Sequence, residues 1–303
     1  TTGLMSILKA KDHILLPDSV YGSTRRFVKE EFPRLEIEFD FYNSRDLKHL
    51  ESLIKKNTKA IYIESPGTYT FEIIDIKKTI KICEKYNLKS LIDNTWATAL
   101  FFNPFDFGVD IVIEAVTKYI SGHSDVMMGV VLGNESNLTE LQRWNKNSGN
   151  YVSPDDIYMA LRGLRTLPLR LKKSSENSLK IAKFLEKKHI VKRVIHPALK
   201  QHPDHDIWKR DFMGASGIFA IEFENNISEK QVDMLANNCQ IFGIGASWGG
   251  YSSSLSTMNV AENRNLNSSF IPSGQYLRIY AGTEDTEDLI NDLNNGFKKI
   301  KLS

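Results

Sequence analysis

Five apolar, β-rich runs in the first half of the chain alternate with polar turns and helical stretches, and that alternation is what most limits the fold. The runs are DHILLPDS (12–19), KAIYIESPG (59–67), LKSLIDNTW (88–96), DIVIEAVTK (110–118) and GVVLGN (129–134). Between them, Leu47, Leu50, Leu53 and Ile54 mark a helix by their three-to-four spacing, and DIKKTIKICEKYN (75–87) is amphipathic. Nearly continuous apolar strands separated by helices predict an α/β fold with a parallel sheet covered on both faces.

The second half has a different texture. SPDDIYMALRGL (153–164) opens with a serine, a first-turn proline and two acids, a strong helix start. Leu171, Ser175, Ser178, Ala182 and Leu185 predict a second helix. From about residue 190, VKRVIHP, SGIFAIEFEN, QIFGIGASW and QYLRIYAG predict shorter strands, with helices near 228–238 and 284–300. The last helix begins with acids and ends at Lys298 and Lys299, which would complement its dipole. The expected organisation is a larger α/β domain over 1–163 and a smaller α+β domain over 164–303.

Composition narrows the classes of function. The 303 residues carry a net charge of +2 with both signs interspersed, so no basic stripe points to nucleic acid or an anionic membrane. Cys83 and Cys239 are the chain's two cysteines; they imply no disulfide framework and fit a reducing cytoplasm. Cys83 shares a helix face with Ile76, Ile80 and Tyr86, which predicts a buried core thiol. No run approaches the roughly 18 apolar residues of a membrane span, and no signal peptide opens the chain. The opening TTGLMSILKA has no initiator methionine and enters mid-helix, as if an upstream segment were missing.

Ligands of open parallel sheets sit beyond the carboxyl ends of the strands. Asp18, Asp93 and Lys118 all fall at or near such ends. A lysine closing a core strand is unusual, since lysine is rarely buried without a partner. It becomes chemically useful as the Schiff-base partner of pyridoxal phosphate. That cofactor also needs a carboxylate for its ring nitrogen, hydroxyl and backbone N–H donors for its phosphate, and an aromatic face for its ring. The sequence offers Asp93, Thr117, the start of a helix at Gly3 and Leu4, and Tyr21 for those four tasks. Each has a plainer reading by itself: Lys118 as a snorkelling or ion-paired side chain, Asp93 as a turn former, Tyr21 as packing. Their order along the elements favours the cofactor. HPDHD (202–206) lies in a proline-containing loop without the spacing of metal ligands, so no metal is expected, and His123 reads as a structural hydrogen-bonder.

Longer motifs carry a resemblance. DSVYGSTRRF, ESPGTYTFEI, LIDNTWATAL, TKYISGHSDVMMG, ALRGLRTLPLRL, HPALKQHPDHDIWKRDFMGASGIFAIEF, SWGG and LRIYAGTEDTEDLI cover the whole chain. Together they resemble the trans-sulfuration, or cysteine/methionine-metabolism, family of pyridoxal-phosphate enzymes; IDNTW and SWGG lean towards its bacterial β-lyase branch. The resemblance implies an aspartate-aminotransferase-like fold (fold type I). It implies β-elimination of L-cystathionine to homocysteine, pyruvate and ammonia, a step towards methionine, in a cytoplasmic homotetramer. Lys118 would bind the cofactor covalently and shuttle protons, and Tyr21 would stack on the ring as the second catalytic group. Asp93 would pair with the ring nitrogen, while Thr117, Gly3 and Leu4 would hold the phosphate. Arg278 and Ser247 would fix the substrate carboxylate, with Trp248 and Trp96 shaping the pocket. For Arg278 alone, a sheet-edge ion pair is the plainer reading.

The chain departs from the family pattern at several points. The N-terminal segment that reaches a neighbouring subunit is not here, Ala115 stands where many members have serine, and TTG stands where Ser-Gly is usual. Ala246 precedes SWGG where the β-lyases generally carry an aromatic. Three other reactions of the family therefore stay open, those of a cystathionine γ-synthase, a cystathionine γ-lyase and a homoserine-ester sulfhydrylase. So does a truncated, non-catalytic remnant.

Overall fold

A computed structural model describes residues 1–266 and 270–300. The chain divides into two compact units, and each draws on more than one segment. The first holds Thr1–Ala115 and Met128–Pro154 with a short stretch from Asn263; the second holds Val116–Met127 and most of the chain from Asp155 onward.

The first unit is built on a six-stranded sheet. Its strands are β1 (His13–Pro17), β2 (Glu38–Tyr42), β3 (Thr58–Glu64), β4 (Lys89–Asp93), β5 (Ile111–Ala115) and β6 (Gly129–Gly133), in the order β2-β1-β3-β4-β5-β6. Every pairing is parallel except β5 with β6, so the expected mainly parallel sheet carries one antiparallel edge strand. Its helices are α1 (Thr2–Met5), α2 (Gly22–Glu31), α3 (Leu47–Ser52), α4 (Ile76–Tyr86), α5 (Thr98–Phe101) and α6 (Glu135–Asn147). β1 is buried along its whole length, which is why its sequence shows no polar alternation. Ile14 and Leu16 join Val28, Phe32, Tyr62, Leu91 and Leu141 in one core.

Capping fixes α4. Asp75 accepts the N–H of Lys78 at its start, and Asn87 closes it in the left-handed region at φ 52°. Cys83 on its inner face is buried as expected, and burial pushes its thiol up to about 12.

The second unit contains α7 (Pro154–Leu185), α8 (His205–Asp211), α9 (Glu229–Asn237) and α10 (Thr286–Phe297). Its sheet joins β7 (Val191–Ile195), β8 (Ile218–Phe223), β9 (Gly243–Ile244), β10 (Ser254–Thr257) and β11 (Tyr276–Tyr280) in the order β7-β8-β11-β10-β9. Ile181, Leu185, Phe219, Ile221, Leu235, Leu277, Ile279, Leu289 and Leu293 form its core.

Three expectations are corrected here. The two helices expected over 153–185 are one: α7 runs through Pro168, because its buried face continues unbroken from Ala160 and Gly163 to Leu167, Leu171, Ser174 and Ser178. The strand expected over QIFGIGASW shrinks to Gly243–Ile244, and the chain leaves the sheet before Ala246. The last helix ends at Phe297, so Lys298 is its cap residue rather than a last-turn cation.

Candidate active site

In the first unit, parallel β1, β3 and β4 place their carboxyl ends on one edge of the sheet. Tyr21 lies a few residues beyond β1 as the N-cap residue of α2, with its ring exposed. Asp93 ends β4 and is partly buried. It accepts the N–H of Thr95 at 2.9 Å, and burial raises its carboxyl above the ordinary range against the pull of the Thr95 hydrogen bonds. Trp96 follows in the same turn and is buried.

At the chain's start, the first bonds of α1 run from the N–H groups of Met5 and Ser6 to the carbonyls of Thr1 and Thr2. Gly3 and Leu4 lie in that turn and are buried. Asp18, the third strand-end candidate, has a different task. Its carboxylate takes Arg25 Nη2 at 2.6 Å and the N–H groups of Asn265 and Leu266 at 2.9 Å each, which makes it a buried structural acceptor.

In the second unit, the run that β5 begins does not continue to Lys118. The chain turns, with Ser121 N–H donating to the Val116 carbonyl and Gly122 N–H to that of Lys118, both at 2.9 Å. Thr117 and Lys118 thus sit in a turn, each partly buried. Lys118 Nζ donates to Ser247 Oγ at 2.8 Å and lies 5.2 Å from the centre of the Trp248 ring. Burial, and next the positive charge of Arg278, lower its amine to about 8. Trp248 in turn packs on Tyr119, with ring centres 5.4 Å apart.

Arg278 stands on β11, the middle strand of its sheet rather than an edge, opposite Ala220 on β8 and Ser256 on β10. It is 7% exposed and donates through Nη2 to the Ala246 carbonyl at 2.5 Å. The residue that replaces an aromatic before SWGG therefore offers its backbone to the arginine expected to grip a carboxylate.

Groups that sequence reading passed over hold this turn in place. Arg170 on α7 donates to the carbonyls of Tyr119, Ile120 and Gly163, at 2.8, 3.2 and 2.6 Å. A side chain at Gly163 would strike the Ser121 and Ile120 carbonyls at 2.2 and 2.4 Å, so glycine is what lets α7 approach. Gly249 does the same from the SWGG side, against the backbone of Lys118. His123, expected as a structural hydrogen-bonder, also bonds the turn, its Nδ1 lying 2.6 Å from the Ser121 carbonyl.

The donor set fits pyridoxal phosphate. A lysine lowered towards neutrality, a strand-end carboxylate and an exposed aromatic ring are parts that cofactor needs. One unit carries the carboxylate and the ring; the other carries the lysine and the arginine.

Comparison with known proteins points to the same cofactor. The family model described as Cys/Met metabolism PLP-dependent enzyme matches residues 1–298. The chain is 39% identical over 303 residues to an L-alanine/L-glutamate racemase of Wolbachia pipientis wMel, covering 99% of this chain and 74% of that protein. It is 40% identical over 304 residues to a putative cystathionine β-lyase of Rhizobium johnstonii, covering 98% and 75%. The crystal structure of cystathionine γ-synthase from Xanthomonas oryzae pv. oryzae superposes with a TM-score of 0.91 at 28% identity, covering 99% of this chain and 78% of that one.

Proposed function

Since the chain belongs to the Cys/Met-metabolism family of pyridoxal-phosphate-dependent enzymes, we propose that it is a carbon–sulfur lyase that eliminates the β-thiolate of L-cystathionine, releasing homocysteine, pyruvate and ammonia. The observation that carries this reading is the attachment of the SWGG turn to the lysine. Ser247 accepts from Lys118 Nζ, Trp248 lies beside it, and Gly249 packs on its backbone. SWGG is the motif that leans towards β-elimination, and here it surrounds the reacting amine.

The bound cofactor supplies an electron sink for negative charge developing at the substrate Cα. The chain's own residues do the rest. Lys118 Nζ, lowered to about 8, takes and returns a proton near neutral pH. Arg278 grips the substrate carboxylate as a two-pronged donor, aided by Ser247 Oγ, with Trp248 and Trp96 bounding the pocket. Asp93 holds a proton on the ring nitrogen, Tyr21 covers the ring face, and Thr117 with the Gly3 and Leu4 N–H groups orients the phosphate.

Incubation with L-cystathionine is expected to yield pyruvate. Release of 2-oxobutyrate instead would assign the γ-reaction, and no keto acid at all would remove lyase chemistry. A second reading, amino-acid racemisation, is favoured by the 39% identity to the Wolbachia racemase. Formation of D-alanine from L-alanine without pyruvate would put that reading first.

A stripe of exposed apolar side chains on α7, Ile157, Tyr158, Leu161 and Leu164, supports a second copy of the chain as partner. Light scattering is expected to give at least a dimer; a monomer at assay concentration would sink this.

A further inference from the structure

Glu64 closes β3 with 7% exposure, and none of the roles above falls to it. Its Oε2 accepts the N–H of Tyr21 at 2.7 Å, and its Oε1 bonds the Thr68 hydroxyl. The hydroxyl fits either protonation state, as donor to a carboxylate or acceptor from a carboxyl. β3 and β4 are parallel with Glu64 directly opposite Asp93, so the two acids share one face of the sheet at its carboxyl edge. We propose that Glu64 is a positioning residue for the ring-holding groups of the first unit, anchoring Tyr21 through its main chain and facing Asp93 as the second carboxyl of a proton-sharing pair. This rests on the reading that Tyr21 and Asp93 hold the cofactor ring.

Two arguments support it. The first is mechanical. Tyr21 is the N-cap residue of α2, yet its side chain makes no capping bond. Its N–H is held by Glu64, and the Thr68 side of the carboxylate is tied in turn, since Arg264 donates to the Thr68 carbonyl at 2.6 Å and to Thr70 Oγ1 at 2.7 Å. An exposed ring that must lie flat on a cofactor needs a fixed backbone, and the Glu64–Tyr21 bond fixes it.

The second is electrostatic. Two adjacent acids out of water do not both ionise readily, and they titrate as a pair. Burial first, then the charge of Asp93, push Glu64 up to about 8, against the Thr68 and Tyr21 hydrogen bonds and the Arg264 charge. Tyr42 and Tyr62, which face Glu64, are both raised well above their ordinary range by burial and stay neutral, and Glu114, which faces Asp93, is pushed up to about 7, by burial first. Asp93 is raised by burial as well, so the pair as a whole resists losing both protons and one proton is held between the two acids. A purely structural glutamate would serve as well with no proton to exchange.

The test titrates the visible absorbance of the cofactor-loaded chain through pH 8, where Glu64 changes charge, in the wild type, Glu64→Gln and Glu64→Ala. Glutamine keeps the shape and an acceptor for the Tyr21 N–H but cannot ionise. Its cofactor dissociation constant is expected to stay within about twofold of wild type, while the pH midpoint of the absorbance falls by about half a unit or more, because a negative neighbour no longer forms to retain the cofactor's proton. Alanine also releases Tyr21, and its dissociation constant is expected to rise about tenfold. A Glu64→Gln midpoint equal to wild type, or wild-type affinity in Glu64→Ala, overturns the inference. A wild-type chain with no cofactor absorbance overturns the ring-holding reading itself, and this inference with it.

Discussion

Lys118→Ala is expected to abolish the borohydride-sensitive visible absorbance of the cofactor-loaded chain and to lower elimination by about 10²–10⁴-fold, the range a positioned proton-transfer group supplies. The wild-type amine should also announce itself by pH. An ordinary lysine titrates near 10.5, whereas burial and Arg278 bring Lys118 to about 8. At pH 7 that leaves about 300 times more of the neutral, nucleophilic form than an unperturbed amine would have.

The sign is fixed by which form reacts. Below its pKa the amine is protonated and inert, so cofactor capture by the apoprotein should climb about tenfold per pH unit up to about 8 and level above it. Arg278→Gln removes the smaller of the two causes, so its inflection should move upward but stay below 10.5, because burial remains. A wild-type inflection near 10.5 would contradict the environment described for Lys118. Undiminished absorbance in Lys118→Ala would assign the cofactor to another amine.

Strand ends are the local signal that singles out candidate site residues in this chain. Asp18, Asp93 and Lys118 are expected at or near strand ends because apolar runs that stop at a polar residue mark where a buried strand meets solvent; Asp93 does end β4, whereas Lys118 lies in a turn beyond β5. The same signal is ambiguous: Asp18 satisfies it and is a structural acceptor for Arg25 and two backbone N–H groups. Glu64 satisfies it too, at the end of KAIYIE, but its neighbours Pro66 and Gly67 draw the eye to the turn. Whether a strand-end acid serves structure or chemistry depends on long-range partners such as Asn265, which no local pattern reveals.

Helix α7 teaches a related lesson. Pro168 lacks an N–H and ordinarily interrupts a helix, yet α7 runs through it where two helices are expected from the pattern. The apolar and small residues of its inner face keep their three-to-four spacing straight through the proline, and burial of that long stripe outweighs one lost hydrogen bond. Edge strand β2 escaped notice for the opposite reason. EFDFY carries Glu38 and Asp40 on exposed or half-exposed positions, as an edge strand does, and too little of it is buried to look like core.

Gly249→Ala is the substitution expected to cost most outside the reacting groups. The residue has φ +89°, where a side chain is strained. A Cβ there would lie 2.8 Å from both Cα and the carbonyl carbon of Lys118, atoms of backbone that cannot swing aside. Nor can the turn around Lys118 retreat. Arg170 holds its carbonyls, and Gly163 brings α7 within contact of Ile120 and Ser121. The SWGG side is equally fixed, since Tyr280 Oη donates to the Gly250 carbonyl at 2.5 Å. Strain and overpacking together predict a loss of about 2–4 kcal/mol, seen as a lower urea midpoint with unchanged slope. Gly245→Ala in the same loop is the control: its Cβ would meet no atom within 4 Å, so a change within about 0.5 kcal/mol is expected. Stability alone does not show that the turn positions the lysine. If Gly249 sets where Nζ points, cofactor capture should slow in Gly249→Ala even at temperatures where the chain stays folded, because the bond from Lys118 to Ser247 is lost with the close approach. Equal midpoints for the two alanine variants, or wild-type capture by a folded Gly249→Ala, would mean that SWGG and the lysine turn are not the single packed unit described here.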